Sequence, residues 1–190
     1  MESEQKLLSK QITFLVDGKI HKLSQRWYES GQKHSEVNFV NDKLNGLWQK
    51  WYENGQKSFE ATYVDGKKTG VTQEWYENGQ KEYEDNYVDG KLHGLCQRWY
   101  LNGQKRSETN YVYGALYGLA QVWFENGQKA DEDNYADGKL HGLCQRWYKN
   151  GQKKWELNYV CGKLHGQCRR WLENGQIESD HEYLNCNQLN

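Results

Sequence analysis

Proline is absent from the 190 residues, so no ring interrupts a backbone hydrogen-bond ladder anywhere in the chain. Leucine and isoleucine are too few for a deep aliphatic core, and mean hydropathy is low at −1.14. Charge of one sign is also missing. The formal net charge is −1, with acids and bases mixed along the chain, which argues against nucleic acid as a partner and against a basic membrane-binding surface. No apolar run reaches the length of a transmembrane span, and the opening MESEQKLLSKQ has no signal-peptide core. The expectation is a soluble, intracellular, cytoplasmic protein. The five cysteines, Cys96, Cys144, Cys161, Cys168 and Cys186, are odd in number and contain no CxxC spacing. They predict neither a disulfide framework nor a zinc site.

What the chain does have is aromatic side chains and a period. Nine Trp, fourteen Tyr and four Phe supply large rings able to bury apolar area in an otherwise polar sequence. Trp27, Trp51, Trp75, Trp99, Trp123, Trp147 and Trp171 stand 24 residues apart. Gly31, Gly55, Gly79, Gly103, Gly127, Gly151 and Gly175 keep the same step, each followed by Gln. An aromatic column runs from Phe39 through Tyr63 to Tyr183, and an acidic column from Glu36 through Glu60 to Glu156 and Asp180. One period sustained without insertion identifies a tandem-repeat protein.

Within a unit such as Gly94 to Tyr117, Asn-Gly separates two short aromatic-rich runs, a strong hairpin signal because both residues tolerate φ > 0. Asp-Gly-Lys-Leu-His-Gly is a second turn signal joining one hairpin to the next. Several glycines per repeat disfavour helix. The fold class expected is all-β: an elongated tandem array of antiparallel β-hairpins, coiled as a twisted ribbon or solenoid-like sheet. The domain organisation read from the repeat is a tail over 1–11, one repeat domain over 12–185 and a tail over 186–190. The repeat domain comprises a half hairpin over 12–22 and seven 24-residue units, with Cys186 at a link-glycine position.

Side chains alternate across a strand. Leu95, Gln97 and Trp99 share one face, and Cys96, Arg98 and Tyr100 the other. Beyond the turn, Glu108, Asn110 and Val112 oppose Lys105, Ser107, Thr109 and Tyr111. A two-residue Asn-Gly loop joins Trp and Gln with Glu and Asn; a three-residue loop joins Trp with Tyr. The first is favoured, because it gathers the recurring columns on one face, where a Glu buried beside Gln and Asn could be satisfied by hydrogen bonds. It leaves an opposite, exposed face of variable columns for a partner. One runs Ser35, Phe59, Tyr83, Ser107, Asp131, Trp155, Ser179; another Val37, Ala61, Asp85, Thr109, Asp133, Leu157, His181. Phe59, Tyr83, Asp131 and Trp155, with Arg98 and Arg146, are the candidate partner-binding residues. The Trp column and Gly55, Gly79, Gly103, Gly127, Gly151 and Gly175 are structural. Equivalent Trp residues two strands apart, about 10 Å, cannot stack on one another and require side chains from the second strand between them.

No constellation favours catalysis. His93, His141 and His165 fall in Lys-Leu-His-Gly links, too far apart to share a metal ion without a further ligand. The Glu column lacks the asymmetry of a catalytic carboxylate pair. Cys96, Cys144 and Cys168 share their column with Ser24, Trp48, Thr72 and Ala120, which reads as a tolerant surface or half-buried slot. The expectation is a non-enzyme without cofactor or metal.

The pattern NGQKxxExxYxDGKLHGxxxxWY resembles the variant form of the MORN repeat, from Ile12 to about Asn185. It is similar to arrays of the YwqK-type family, described as antitoxins, and to arrays in giant DNA viruses. The resemblance implies side-by-side antiparallel hairpins and a scaffold for protein–protein interaction, of antitoxin type or as a structural or virion component. A membrane-lipid surface module is the alternative that the wider family name implies. Departures are local: Asn41-Asp42 replaces Asp-Gly, Tyr113-Gly114-Ala115 replaces Asp-Gly-Lys, and Lys22 stands where other copies have Gly. Open terminal strand edges make end-to-end self-association a further expectation.

Overall fold

The computed structural model describes residues 8–184 and, by backbone, 187–189. Every regular element among the described residues is a β-strand, as the glycine frequency predicts. Contacts divide the chain into two compact units, Met1–Lys91 and Leu92–Asn190. The first holds β1 (Leu8–Val16), β2 (Lys19–Trp27), β3 (Lys33–Val40), β4 (Lys43–Trp51), β5 (Lys57–Val64), β6 (Lys67–Trp75) and β7 (Lys81–Val88). Each pairs antiparallel with the next.

The two-residue β8 (Lys91–Leu92) spans the division. The second unit continues with β9 (Gly94–Trp99), β10 (Lys105–Val112), β11 (Ala115–Trp123), β12 (Lys129–Ala136) and β13 (Lys139–Leu140). It ends with β14 (Gly142–Trp147), β15 (Lys153–Val160), β16 (Lys163–Leu164), β17 (Gly166–Trp171), β18 (Ile177–Leu184) and β19 (Asn187–Leu189). These too form an antiparallel meander. Strand β1 begins at Leu8, inside the segment read as a tail, and β19 lies within the segment read as the other tail. Cys186 falls outside the described residues.

The two turn signals exchange roles. Asp65-Gly66 is the two-residue hairpin loop, closed by Val64 opposite Lys67, with φ of 48° and 81°. Two successive left-handed residues define a type I′ turn, whose twist matches the flanking strands. The departures keep this geometry: Asn41 and Asp42 both take positive φ, and so does Tyr113. A left-handed tyrosine is costly. Here its ring packs on His93 at 4.7 Å, and its N–H donates to His93 Nδ1 at 3.4 Å.

Asn-Gly forms the longer loop. Gly103 N–H donates to Tyr100 O and Tyr100 N–H to Gln104 O, both at 2.8 Å. Gly103 has φ of 82°, while Asn102 is absent from the positive-φ residues. This is a three-residue loop, a β-turn followed by a left-handed Gly, and not the two-residue loop favoured from sequence. Asn102 Oδ1 accepts from Gln104 N–H at 3.0 Å, which rewards Asn at that position. Trp99 then faces Lys105, Arg106 bulges out, and the register shifts so that Arg98 faces Ser107 and Gln97 faces Glu108. The bulge restores the Gln–Glu pairing that the two-residue loop would have made. It also carries Lys105 onto the Trp–Gln–Glu face, contrary to simple alternation.

A second irregularity surrounds the link glycine. Opposite Gly46 the register jumps from Val37↔Trp48 to Phe39↔Leu44. Asn38 Nδ2 donates to the Leu47 carbonyl in that gap at 3.1 Å; Asn134 and Asn158 do the same to Leu143 and Gln167. Where Lys22 replaces Gly, the β1–β2 ladder runs unbroken from Leu8↔Trp27 to Val16↔Lys19.

The expectation that the variable columns form the exposed face is corrected. Phe59, Ala61 and Tyr63 form a buried cluster with Leu44 and Trp48 against it, and Ser35 and Asp85 are buried as well. Cys96, Cys144, Cys168 and Thr72 are buried too, at 5% exposure or less, while Ser24, Trp48 and Ala120 are half-buried, so the column is a buried to half-buried slot and not a tolerant surface. The reason is charge. Packing the other face inward would bury a carboxylate and an ammonium in nearly every repeat, at several kcal/mol per ion.

Candidate binding faces

The recurring columns build one network per repeat on the outer face. Gln25 Nε2 donates to Glu36 Oε2 at 2.6 Å, and Lys33 Nζ donates to the same oxygen at 2.7 Å. The pattern recurs at Gln49–Glu60–Lys57, Gln73–Glu84–Lys81, Gln97–Glu108–Lys105, Gln121–Glu132–Lys129 and Gln145–Glu156–Lys153. Lys33, Lys57, Lys105, Lys129 and Lys153 also reach the Trp of the following repeat: Lys33 lies 5.4 Å from the Trp51 ring and Lys129 5.6 Å from that of Trp147. These are the intervening side chains that the 10 Å Trp spacing requires, and they combine ion pair with cation–π contact.

The hydrogen bond from Lys, aided by the Gln amide, holds Glu36, Glu84, Glu108, Glu132 and Glu156 below the usual carboxylate range. At Glu60 burial pushes upward, but Lys57 and Gln49 together outweigh it. In the last copy Asp180 is held by Arg169 at 2.9 Å instead. Glutamates bound and shared in this way are structural; they do not form a free acid–base pair.

A second set of contacts joins successive Asn-Gly loops. Tyr28, Tyr52, Tyr100 and Tyr148 each donate their hydroxyl to the Trp carbonyl of the next repeat, at 2.7–2.9 Å. Phe124 and Leu172 have no hydroxyl for this bond. A Cβ on Gly79 would meet Gln56 Oε1 at 2.4 Å, so the loops stack closely, Gly against the preceding Gln. The Tyr and Lys columns join Trp and Gly in the contacts between successive repeats. Their 24-residue spacing was legible; their partners were not.

The inner face holds the six candidate partner residues. Phe59 is buried. Tyr83 donates its hydroxyl to Glu74 Oε1 at 2.6 Å, and burial, together with this bond, raises its pKa. Arg98 Nη1 donates to the Gln97 carbonyl at 3.0 Å. Asp131, Arg146 and Trp155 come together: Arg146 pairs with Asp131 and stacks 4.9 Å from the Trp155 ring. Beside them burial raises the pKa of Asp133, whose Oδ1 is buried with no hydrogen-bond partner among the described residues. Burial also pushes the Cys144 thiol up to about 11, which disfavours a nucleophilic thiolate.

The same columns near the other end of the chain look different. Ser35 faces Arg26 on β2 and Lys50 on β4. Beside it opens a cavity of about 340 Å³ that His34, Phe39, Leu44 and Trp48 also line. Sequence reasoning did not single out this site, although Ser at a position held elsewhere by Phe59, Tyr83 or Trp155 is a readable signal.

His141 and His165 sit at the link bulges, their N–H groups donating to Asn134 O and Asn158 O. No group of three or more metal-ligating side chains occurs among the described residues, and among them no helix is long and apolar enough to cross a membrane.

Comparison with known families finds the MORN repeat variant six times, at residues 20–41, 44–65, 68–89, 92–113, 140–160 and 164–185. Comparison with curated proteins returns no match. Residues 114–139 lie outside the matched segments, yet β11 and β12 keep the same pairing, with Gln121 opposite Glu132. The matches follow the 24-residue step and span well over half of the chain, and the chain belongs to the MORN repeat variant family.

Proposed function

We propose that this chain is a non-catalytic scaffold that binds a protein partner. The observation that carries this reading is a row of exposed aliphatic side chains on the outer face of each unit. In the first unit Leu47, Val64, Val71 and Val88 are 37–52% exposed; in the second, Val112, Leu119, Leu143 and Val160 are 38–44% exposed. Exposed apolar groups repeated within a unit and bordered by charge pairs suit protein docking. Of the six residues named from sequence, Arg146 is the one that is exposed, and it lies on the inner face against Asp131 and Trp155, apart from this row.

Affinity purification from the native host, compared with a Leu47→Thr, Val71→Thr, Leu119→Thr, Leu143→Thr variant, tests the reading. The expected outcome is a partner that the variant no longer retains; unchanged capture overturns it. The partner's own chemistry then separates an antitoxin-type role from a structural or virion one. Pelleting with anionic vesicles at low salt would instead favour the lipid-surface alternative.

The same reading extends to the chain's end. The outer edge of β1 pairs with no described strand, and Phe14, Leu15 and Val16 are 44–70% exposed. Such an edge favours end-to-end association. Light scattering should show mass growing with concentration, and a Phe14→Lys, Val16→Lys variant should remain monomeric.

A further inference from the structure

The first variable column mixes large and small side chains, and at Ser35 and Ser179 the small ones leave space. The rings of Phe59, Tyr83 and Trp155 are buried or half-buried on the inner face, whereas Ser35 and Ser179 border cavities of about 340 and 350 Å³. The two cavities differ in charge. The one at Ser35 is lined by two cations, Arg26 and Lys50, and the one at Ser179 by one, Arg170, beside His181; no carboxylate lines either. Both cations face Ser35 directly across the ladder, one on each side.

Like charges two strands apart repel unless something answers them. Elsewhere the answer is a carboxylate: Asp131 for Arg146, Asp180 for Arg169, Asp42 for Lys22. Arg26 and Lys50 have no such ion pair among the described residues. Lys50 rests its ammonium over the Trp48 ring at 4.8 Å. His34 stacks edge-on to Tyr28 at 4.9 Å, its Nδ1 buried with no partner among the described residues. Burial first, then Lys50 and Arg26, hold His34 below the usual histidine range, consistent with all three groups converging on one space.

We propose that the Ser35 cavity binds an anionic group, carboxylate or phosphate, carried on an apolar or aromatic stem. Arg26 and Lys50 supply the charge, the Ser35 hydroxyl and His34 supply hydrogen-bonding groups, and Phe39, Leu44 and Trp48 form the wall for the stem. The volume suits one ring with its anionic substituent. The site is independent of the outer-face docking surface and stands whether or not that surface is used.

The test is calorimetric titration of the full chain with phenyl phosphate, phenylacetate and inorganic phosphate. Both aryl anions should bind at least tenfold more tightly than inorganic phosphate. Ser35→Phe should reduce aryl-anion binding at least tenfold, because Phe occupies the same column at Phe59 and the frame accepts it; an unchanged urea midpoint or a higher one verifies folding. Arg26→Gln with Lys50→Gln should remove binding without moving the aromatic circular dichroism. Binding of the aryl anions no tighter than inorganic phosphate, or unaffected by Ser35→Phe in a folded protein, overturns the proposal. A capped phosphotyrosine peptide separates two sources of the same chemistry: affinity equal to phenyl phosphate assigns the site to a free small molecule, and tenfold tighter binding assigns it to a segment of a partner protein.

Discussion

The surroundings of Ser35 and of Trp155 are built from the same two columns on the same backbone and reach opposite states. At Ser35 the space between strands is open, and two cations face it without a carboxylate. At Trp155 a ring lies against Arg146, Arg146 is paired with Asp131, and Asp133 and Cys144 are packed beside them. The difference teaches that the outer-face network sets the backbone, leaving each inner-face position to be filled, emptied or charged repeat by repeat. Identity of frame does not imply identity of surface.

The largest effect should come from emptying the closed region. Trp155→Ala removes a large half-buried ring and should cost about 2–3 kcal/mol, read as a lower urea midpoint, whereas Ser35→Ala should stay within about 0.5 kcal/mol. Equal effects would erase the contrast between the two regions. Next, Asp133→Asn should stabilise the protein at pH 7 by about 1 kcal/mol, because it relieves a buried carboxylate. The Asp133 pKa is raised in the folded state. Its contribution is therefore present below its ordinary value of 3.8 and lost as pH rises through the folded value. The advantage of Asn should close as pH falls towards 3.8, and a gap that persists in acid would contradict the assignment.

A smaller change is expected at the loop contacts, which distinguish two neighbouring repeats of the second unit. Tyr100→Phe should cost about 1 kcal/mol by removing the hydrogen bond to Trp123 O, and Phe124→Tyr should gain about 0.5–1 kcal/mol by adding its counterpart to Trp147 O. Thermal melts of the pair should move in opposite directions. The smallest effect per site is shared by both units and serves as a control on the comparison. The outer-face glutamates have folded pKa values below the ordinary 4.5. Their contribution is present above pH 4.5 and lost as pH falls through the folded values. Glu108→Gln should lower stability slightly at neutral pH, by no more than about 0.5 kcal/mol, and the difference should close as pH falls below 4.5, which flattens the acid limb of the profile.

The strand order was legible because every unit repeats the same two runs and two turn signals. Trp99 and Gln97 on one face followed from alternation; their sharing it with Glu108 was expected from a two-residue loop, and the structure reaches it instead by a three-residue loop with a bulge. The place of Lys105 was not legible, because the bulge at Arg106 changes strand parity, and a bulge leaves no mark in a hydrophobic pattern. The Asn-Gly and Asp-Gly assignments were exchanged for a related reason. Both dipeptides tolerate left-handed backbone, and only the pairing on either side shows that Asp65-Gly66 closes in two residues and that Asn102-Gly103 needs a third. Phe59 and Trp155 were legible as unusual positions in a variable column, but their burial was not.

The sequence by itself determined the period, the all-β class, the absence of interruption and the family, because a 24-residue step with a glycine turn at each end admits one kind of element. The tertiary structure alone decided which face turns inward. That choice rests on a comparison no single strand contains: charge pairs in almost every repeat on one side, each costly to dehydrate, against rings, cysteines and small residues on the other that gain from leaving water. The open cavity at Ser35 follows from that choice, since a serine beside two cations becomes a site only once its face is enclosed.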